Sequence, residues 1–227
     1  MKKIVLQISI AIFVILTFCS LIFVPSTEGK TMNTKAKEAL NILMEGNKRY
    51  AEGKLLHPHQ GIDRRKDVAE GQHPIAIIVA CSDSRVPPEI VFDQGLGDIF
   101  VVRVAGNVLS EVNIGSIDYA AEHFGIPLVI VLGHTRCGAV TVAVKGGEVT
   151  GHVRSILEAI EPAVNEARKQ CRECDLVDAA ARINVDRVVK NLQDSGPILS
   201  HLIKEGKLTI VGAYYDLDTG KVELLSK

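Results

Sequence analysis

The chain has no tryptophan, only 4% aromatic residues, and no surplus of either charge, with 26 basic side chains against 27 acidic ones. No run of Lys or Arg alternates with aromatics, so the features that grip nucleic acid are missing and nucleic acid is excluded as a partner. There is no Pro-, Gly- or Ser-rich linker and no internal repeat, so a single domain follows the N-terminal segment. A second C-x-x-C pair is missing as well. Cys171-Arg172-Glu173-Cys174 stands alone, which excludes a zinc-ribbon pattern and leaves either a local disulfide or two thiols on a helix. Nor is the chain short of apolar residues: 47% hydrophobic and 23% charged content is that of a folded domain.

What is present begins with a distinct N-terminal segment. Lys2 and Lys3 precede an apolar stretch from Ile4 to Val24, after which Pro25-Ser26-Thr27-Glu28-Gly29 turns small and polar. Residues 1–29 resemble a bacterial secretory signal, cleaved just after Gly29, which predicts an exported, periplasmic protein. The alternative is a membrane anchor left uncleaved, since about 20 apolar residues can span a bilayer. Gln7, Ser9, Thr17 and Ser20 dilute the run and favour cleavage. Lipidation of Cys19 is disfavoured because Phe18 stands where a small residue is needed. Any membrane association therefore runs through this segment alone. Export also permits disulfides among the four cysteines that remain.

Residues 30–227 read as one α/β domain. Ala36, Leu40, Leu43 and Met44 recur at helical spacing from Thr34 to Tyr50, predicting an amphipathic N-terminal helical arm that packs on the domain or docks a partner. Residues 53–73 read as a loop with a short helix, and His57, His59 and His73 within it as solvated. Apolar runs at Pro74 to Ala80, Asp98 to Ala105, Pro127 to Leu132 and Leu208 to Tyr214 predict strands, with Lys221 to Leu225 pairing with the last. Helices are predicted from Asn113 to Phe124, capped by Gly125, from Cys137 onward, and through Gly151 to Ser195, with Pro162 in a first turn or at a kink. The pattern predicts a mostly parallel central sheet of four to five strands flanked by helices.

Two segments then converge. Cys81-Ser82-Asp83-Ser84-Arg85 follows the first strand and His134-Thr135-Arg136-Cys137 follows the third. In an open α/β sheet ligands bind beyond the carboxyl ends of the strands, so two thiols and an imidazole gather at one edge. Zinc takes such ligands tetrahedrally, and a catalytic site keeps its fourth position for an exchangeable group. A thiolate at a helix start is further favoured by the helix dipole. Spacing alone leaves a second reading open, in which Cys81 and Cys137 are small buried hydrophobes.

The flanking residues decide between the two. Cys-Ser-Asp-Ser-Arg with a downstream His-x-x-Cys-Gly closely resembles the β-class carbonic anhydrases, and the resemblance runs on through Val86-Pro87-Pro88, Gly97 to Asn107, and Gly133-His134. It implies zinc-dependent, reversible hydration of carbon dioxide to bicarbonate and a proton, by a homodimer or a dimer-based homotetramer. One Zn2+ per chain falls to Cys81, His134 and Cys137. Asp83 and Arg85 take the positions of the family's catalytic dyad, in which Asp83, gripped by Arg85, positions zinc-bound hydroxide; released, Asp83 becomes a fourth ligand and closes the site. Electrostatics explains the need, since two thiolates cancel the charge of zinc and acidify its water less than three imidazoles do. Ser82 and Ser84 read as turn residues supporting the thiolate, Asn107 as stabilising a turn, and Gly106 and Gly138 as allowing close backbone approach. His123 and His152, at helix ends, are given no proton-shuttle role.

Two departures limit the likeness. Some relatives close the site through a bicarbonate pocket that includes a Trp before the first zinc Cys, and this chain has none. Gln94 lies near the register of a substrate-contacting Gln in plant-type relatives. Two rival functions share the ligand set: hydrolysis of carbon disulfide or carbonyl sulfide, and non-catalytic zinc binding in a permanently closed form.

Overall fold

Ala76-Ile77-Ile78-Val79-Ala80 offers no polar side chain on either face, and it folds as β1 (Ala76–Ala80), buried along its whole length. The computed structural model describes residues 32–225, so the signal expected over residues 1–29 lies outside the described residues. β2 (Ile99–Arg103), β3 (Leu128–His134), β4 (Thr209–Tyr215) and β5 (Val222–Leu224) complete a sheet of order β2-β1-β3-β4-β5. The first four strands run parallel, and β5 returns antiparallel beside β4. The turn between them is built on Asp216, whose Oδ1 accepts from the Asp218 and Thr219 amides at 2.9 and 2.7 Å.

Successive strand residues face opposite ways, and the sheet is covered on both sides. On one face Ile78, Leu128, Ile130 and Leu132 pack against Ala36, Ala39, Leu40 and Leu43 of α1 (Thr34–Ala51). On the other, Ile77, Val79, Val129 and Val131 meet α4 (Glu111–His123), α7 (Leu176–Asp194) and α8 (Ile198–Lys204). Each such Ile or Leu contributes about 1.5–3 kcal/mol, whereas an exposed pair such as Lys66 with Asp63 contributes roughly 0–1 kcal/mol. The core therefore decides where the strand ends point. The N-terminal arm also packs against the residues that follow Pro88–Val91, so closely that a Cβ on Gly46 would stand 1.9 Å from the Phe92 carbonyl oxygen. Short helices α2 (Ile62–Asp67) and α3 (Pro88–Val91), a 3-10 turn at Ala105–Asn107, and α5 (Gly138–Lys145) and α6 (Val153–Gln170) fill the connections.

Several boundaries differ from the expected ones. β3 runs two residues past Leu132 because Gly133 and His134 pair with Tyr214 and Tyr215 of β4. α4 begins at Glu111, where Asn113 Oδ1 accepts from the Ser110 amide and hydroxyl at 3.1 and 2.7 Å. Pro162 lies in the middle of α6 on its exposed side and not in a first turn, the interior position at which Pro removes one helical hydrogen bond and kinks are made. Cys171 ends α6, and it pairs with Cys174 in a disulfide across the link to α7, which settles that alternative. His59 is also more than solvated, since its Nδ1 lies 2.8 Å from both Asp98 carboxylate oxygens. Among the described residues no helix is long and apolar enough to cross a membrane.

Candidate metal centre

β1 and β3 are neighbours, so their carboxyl ends open side by side and deliver Cys81 and His134 to one place. After His134 the chain must double back into α5, and Arg136 takes a left-handed φ of 51° to make the turn. That turn sets Cys137 at the start of α5. The three side chains are 4%, 1% and 1% exposed, and their donor atoms lie within 4.8 Å of one another.

The donors fit a zinc ion on three grounds. Cys81 and Cys137 Sγ are 4.0 Å apart and not bonded, close to the roughly 3.8 Å that tetrahedral placement at about 2.3 Å gives two sulfurs. His134 Nδ1 stands 2.9 Å from the Thr135 carbonyl oxygen, an acceptor that requires the proton there and leaves a lone pair on Nε2. That Nε2 is fully buried with no hydrogen-bond partner, a costly state for a polar atom unless a cation takes it.

The sulfurs are also electrostatically unequal. The adjoining Cys137 thiol, with His134 and the Gly106 and Asp83 amides, holds Cys81 well below the ordinary thiol range against the opposing effect of burial. Cys137 is pushed the other way, first by Cys81 and then by burial. The pair gives up one proton readily and the second only to a cation. Backbone supplies the donors to Cys81, from Asp83 N at 3.4 Å and Gly106 N at 3.2 Å. The Ser82 and Ser84 hydroxyls make no bond to the sulfur among the described residues, which corrects the role expected for them. Gly138 likewise has open space around it, so the close approach belongs to Gly106 alone. Asn107 takes a left-handed φ of 45° at the expected turn, yet its buried Nδ2 has no partner.

Beside the cluster, Asp83 Oδ1 accepts from the Arg85 amide and Nε, both at 2.9 Å, and Oδ2 accepts from Nη2 at 2.7 Å. Arg85 therefore holds the Asp83 carboxyl down at about 2, against the effect of partial burial. Oδ2 is 3.9 Å from His134 Nε2. Arg103, at the end of β2, supports the loop from beneath by donating to the Cys81 carbonyl at 2.9 Å and the Asp83 carbonyl at 2.6 Å. It lay inside the motif run, but nothing in the spacing marked it out. Gln94 is buried, and its Nε2 donates to the Phe92 and Asp93 carbonyls at 2.9 and 3.0 Å. Among the described residues no hydrogen bond joins it to the three-donor cluster.

The chain is similar to known proteins over most of its length. The family model described as Carbonic anhydrase matches residues 76–222, from the start of β1 to that of β5. Carbonic anhydrase 2 of Mycobacterium tuberculosis is 42% identical over 196 residues, covering 85% of this chain and 94% of the relative. A carbonic anhydrase of Mycolicibacterium smegmatis is 42% identical over 198 residues, covering 86% and 95%. Among solved structures, a tetrameric β-carbonic anhydrase from Sordaria macrospora superposes with a TM-score of 0.68 at 26% identity, over 83% of this chain and 97% of that one. The Coccomyxa β-carbonic anhydrase, solved with acetazolamide, gives 0.66 at 27% identity, over 83% and 86%. With the family model spanning most of the sheet and these relatives spanning most of the chain, this chain belongs to the carbonic anhydrases, in their β class.

Proposed function

We propose that Cys81, His134 and Cys137 hold one zinc ion per chain, and that carbon dioxide is hydrated beside it under the control of Asp83 and Arg85. The observation that carries this reading is the buried, unpartnered His134 Nε2 facing two unbonded sulfurs. Zinc in such a site is a Lewis acid that makes bound water acidic enough to act as a nucleophile near neutral pH.

The chain's residues do the rest. Asp83 is ionised throughout the neutral range and so can only accept hydrogen bonds. It therefore accepts from an attacking oxygen that still carries a hydrogen, and in doing so turns a lone pair of that oxygen toward the carbon of carbon dioxide. Arg85 occupies both carboxylate oxygens and keeps the side chain off the metal position, which is the open arrangement. Arg103 fixes the backbone on which Cys81 and Asp83 both ride. No side chain is assigned as proton shuttle; His123 and His152 stand at the end of α4 and before α6. Within one chain Gln94 spends its amide donors in its own turn, and a substrate contact by its carbonyl oxygen stays part of the reading.

The same reading takes residues 1–29 as a cleaved signal, residues 30–227 as the catalytic domain and the periplasm as its compartment. The Cys171–Cys174 disulfide supports export, because an oxidising compartment maintains such pairs. A homodimer, or a tetramer built from dimers, fits the exposed Val112 and Tyr119 on α4 and the edge position of β2, which has one strand partner among the described residues.

The test measures zinc content and turnover of carbon dioxide, carbonyl sulfide and carbon disulfide on one preparation. Stoichiometric zinc with hydration as the dominant activity is expected. Faster turnover of either sulfur compound would replace the substrate assignment, and bound zinc without turnover would leave a binding protein.

A further inference from the structure

Gly106 sits against the metal centre in a conformation that its neighbours impose. Its φ is 70°, and a Cβ there would stand 2.7 Å from Ile160 Cδ1 and 3.2 Å from Ala139 Cβ. α6 and α5 thus press on the one residue of the turn that has no side chain. On one side of its Cα, the amide donates to Cys81 Sγ at 3.2 Å. On the other, its carbonyl accepts from Asn184 Nδ2 at 2.9 Å.

Asn184 is an unusual residue for its place. It lies in the middle of α7, where Asn is a poor helix former, and it is 2% exposed, where an amide is costly unless bonded. Its bond spans 78 residues of sequence to reach this one carbonyl. The N–H belongs to the peptide before Gly106 and the carbonyl to the one after it, so holding the carbonyl restrains the Gly106 dihedrals that, with the packing of Ile160 and Ala139, set where the N–H points. We propose that Asn184 is a positioning residue for Cys81, acting through the Gly106 backbone to keep an N–H donor aimed at the sulfur.

The chemical consequence follows from the donor set. Two thiolates give zinc enough negative charge to weaken its Lewis acidity, and an N–H bonded to one of them withdraws part of that charge. The inference rests on the zinc assignment made above. Its effect is on affinity and on the sulfur's donor strength, both of which are readable without turnover.

The experiment compares wild type, Asn184→Asp and Asn191→Asp. Asn184→Asp keeps the shape of the side chain but puts an acceptor against the Gly106 carbonyl; Asn191→Asp makes the same change at an exposed position of α7. Chelator competition should show zinc dissociation constants about 10–100-fold higher for Asn184→Asp and unchanged for Asn191→Asp. In cobalt-loaded protein the sulfur-to-metal charge-transfer band should move to lower energy in Asn184→Asp only. Wild-type zinc affinity and an unmoved band in Asn184→Asp overturn the inference while leaving the zinc site intact. A wild type that takes up neither metal overturns the zinc assignment and the inference with it. Cadmium-113-loaded wild type supplies a reading that does not depend on a variant folding. A scalar coupling between the Gly106 amide proton and the metal is expected, and its absence overturns the inference.

Discussion

Arg85 grips Asp83 through both carboxylate oxygens, with Asp83 Oδ2 3.9 Å from His134 Nε2 and outside the three-donor group. Removing the guanidinium frees a carboxylate within reach of that group. Arg85→Ala should therefore retain zinc and lose hydration by about a hundredfold at neutral pH, a loss comparable to that of one transition-state donor. Asp83 has its folded-state pKa lowered to about 2, so the pair is intact above about pH 4 and is lost only as pH falls through about 2. Protonation of Asp83 then plays no part in any pH dependence between 6 and 9. Stopped-flow rates and metal analysis on the same samples check this, and a wild-type rate for Arg85→Ala would remove the dyad from the mechanism.

Of the two thiols Cys137 holds its proton the more firmly, because the adjoining Cys81 sulfur and burial outweigh the Val140 and Ala139 amides that donate to it. In Cys137→Ser a hard, poorly ionised hydroxyl replaces a thiolate. Zinc affinity should fall by more than the roughly 10–100-fold that outer-shell changes cost, and activity should fall with it. Competition titration measures this, and tight zinc binding in the variant would show that the ligands are misassigned.

A second carboxylate governs acid stability far from the metal. Burial alone would raise the pKa of Asp93, but Arg49 Nε at 2.7 Å and the Leu56 and His57 amides at 3.1 and 3.0 Å outweigh it and leave the carboxyl below its usual range. A depressed folded-state pKa contributes stability that is complete above the unfolded value near 4 and disappears as pH falls through the folded one. Arg49→Met should cost about 1–3 kcal/mol at pH 7, with the gap from wild type closing below about pH 4. Thermal melts at a series of pH values test this; a gap independent of pH would point to lost packing by the Arg49 stem.

The Cys171–Cys174 disulfide closes a very short loop, so it restricts the unfolded chain only slightly. The double variant Cys171→Ser, Cys174→Ser should lose at most about 2 kcal/mol and keep its zinc. Alkylation of zinc-stripped, unreduced protein should label Cys81 and Cys137 alone. Labelling at Cys171 or Cys174 would mean that the pair is reduced as made.

The sheet was readable because β1 and β3 are short apolar runs bounded by polar turns, and the three metal donors were readable because two of those runs end on them. Strand ends were harder to read: β3 continues through Gly133 and His134 because β4 supplies partners, and pairing between strands is absent from local periodicity. Pro162 admits two readings from sequence, a first turn or a kink position, and only the full length of α6 puts it in the helix interior. Asn184 gave no signal at all. Its importance comes from one carbonyl 78 residues away, and only the folded packing of α7 against the Ala105–Asn107 turn creates that contact.

The central claim is that this chain's own Cys81, His134 and Cys137 site hydrates carbon dioxide with zinc bound. Stopped-flow hydration by the zinc-loaded wild type, with the Cys137→Ser variant and the chelated wild type alongside, tests it most directly. Rapid hydration is expected from the zinc-loaded wild type alone, restored to the chelated protein when zinc is returned. Hydration at the uncatalysed rate by fully zinc-loaded protein from neutral into alkaline pH, or an equal rate from Cys137→Ser, would contradict it.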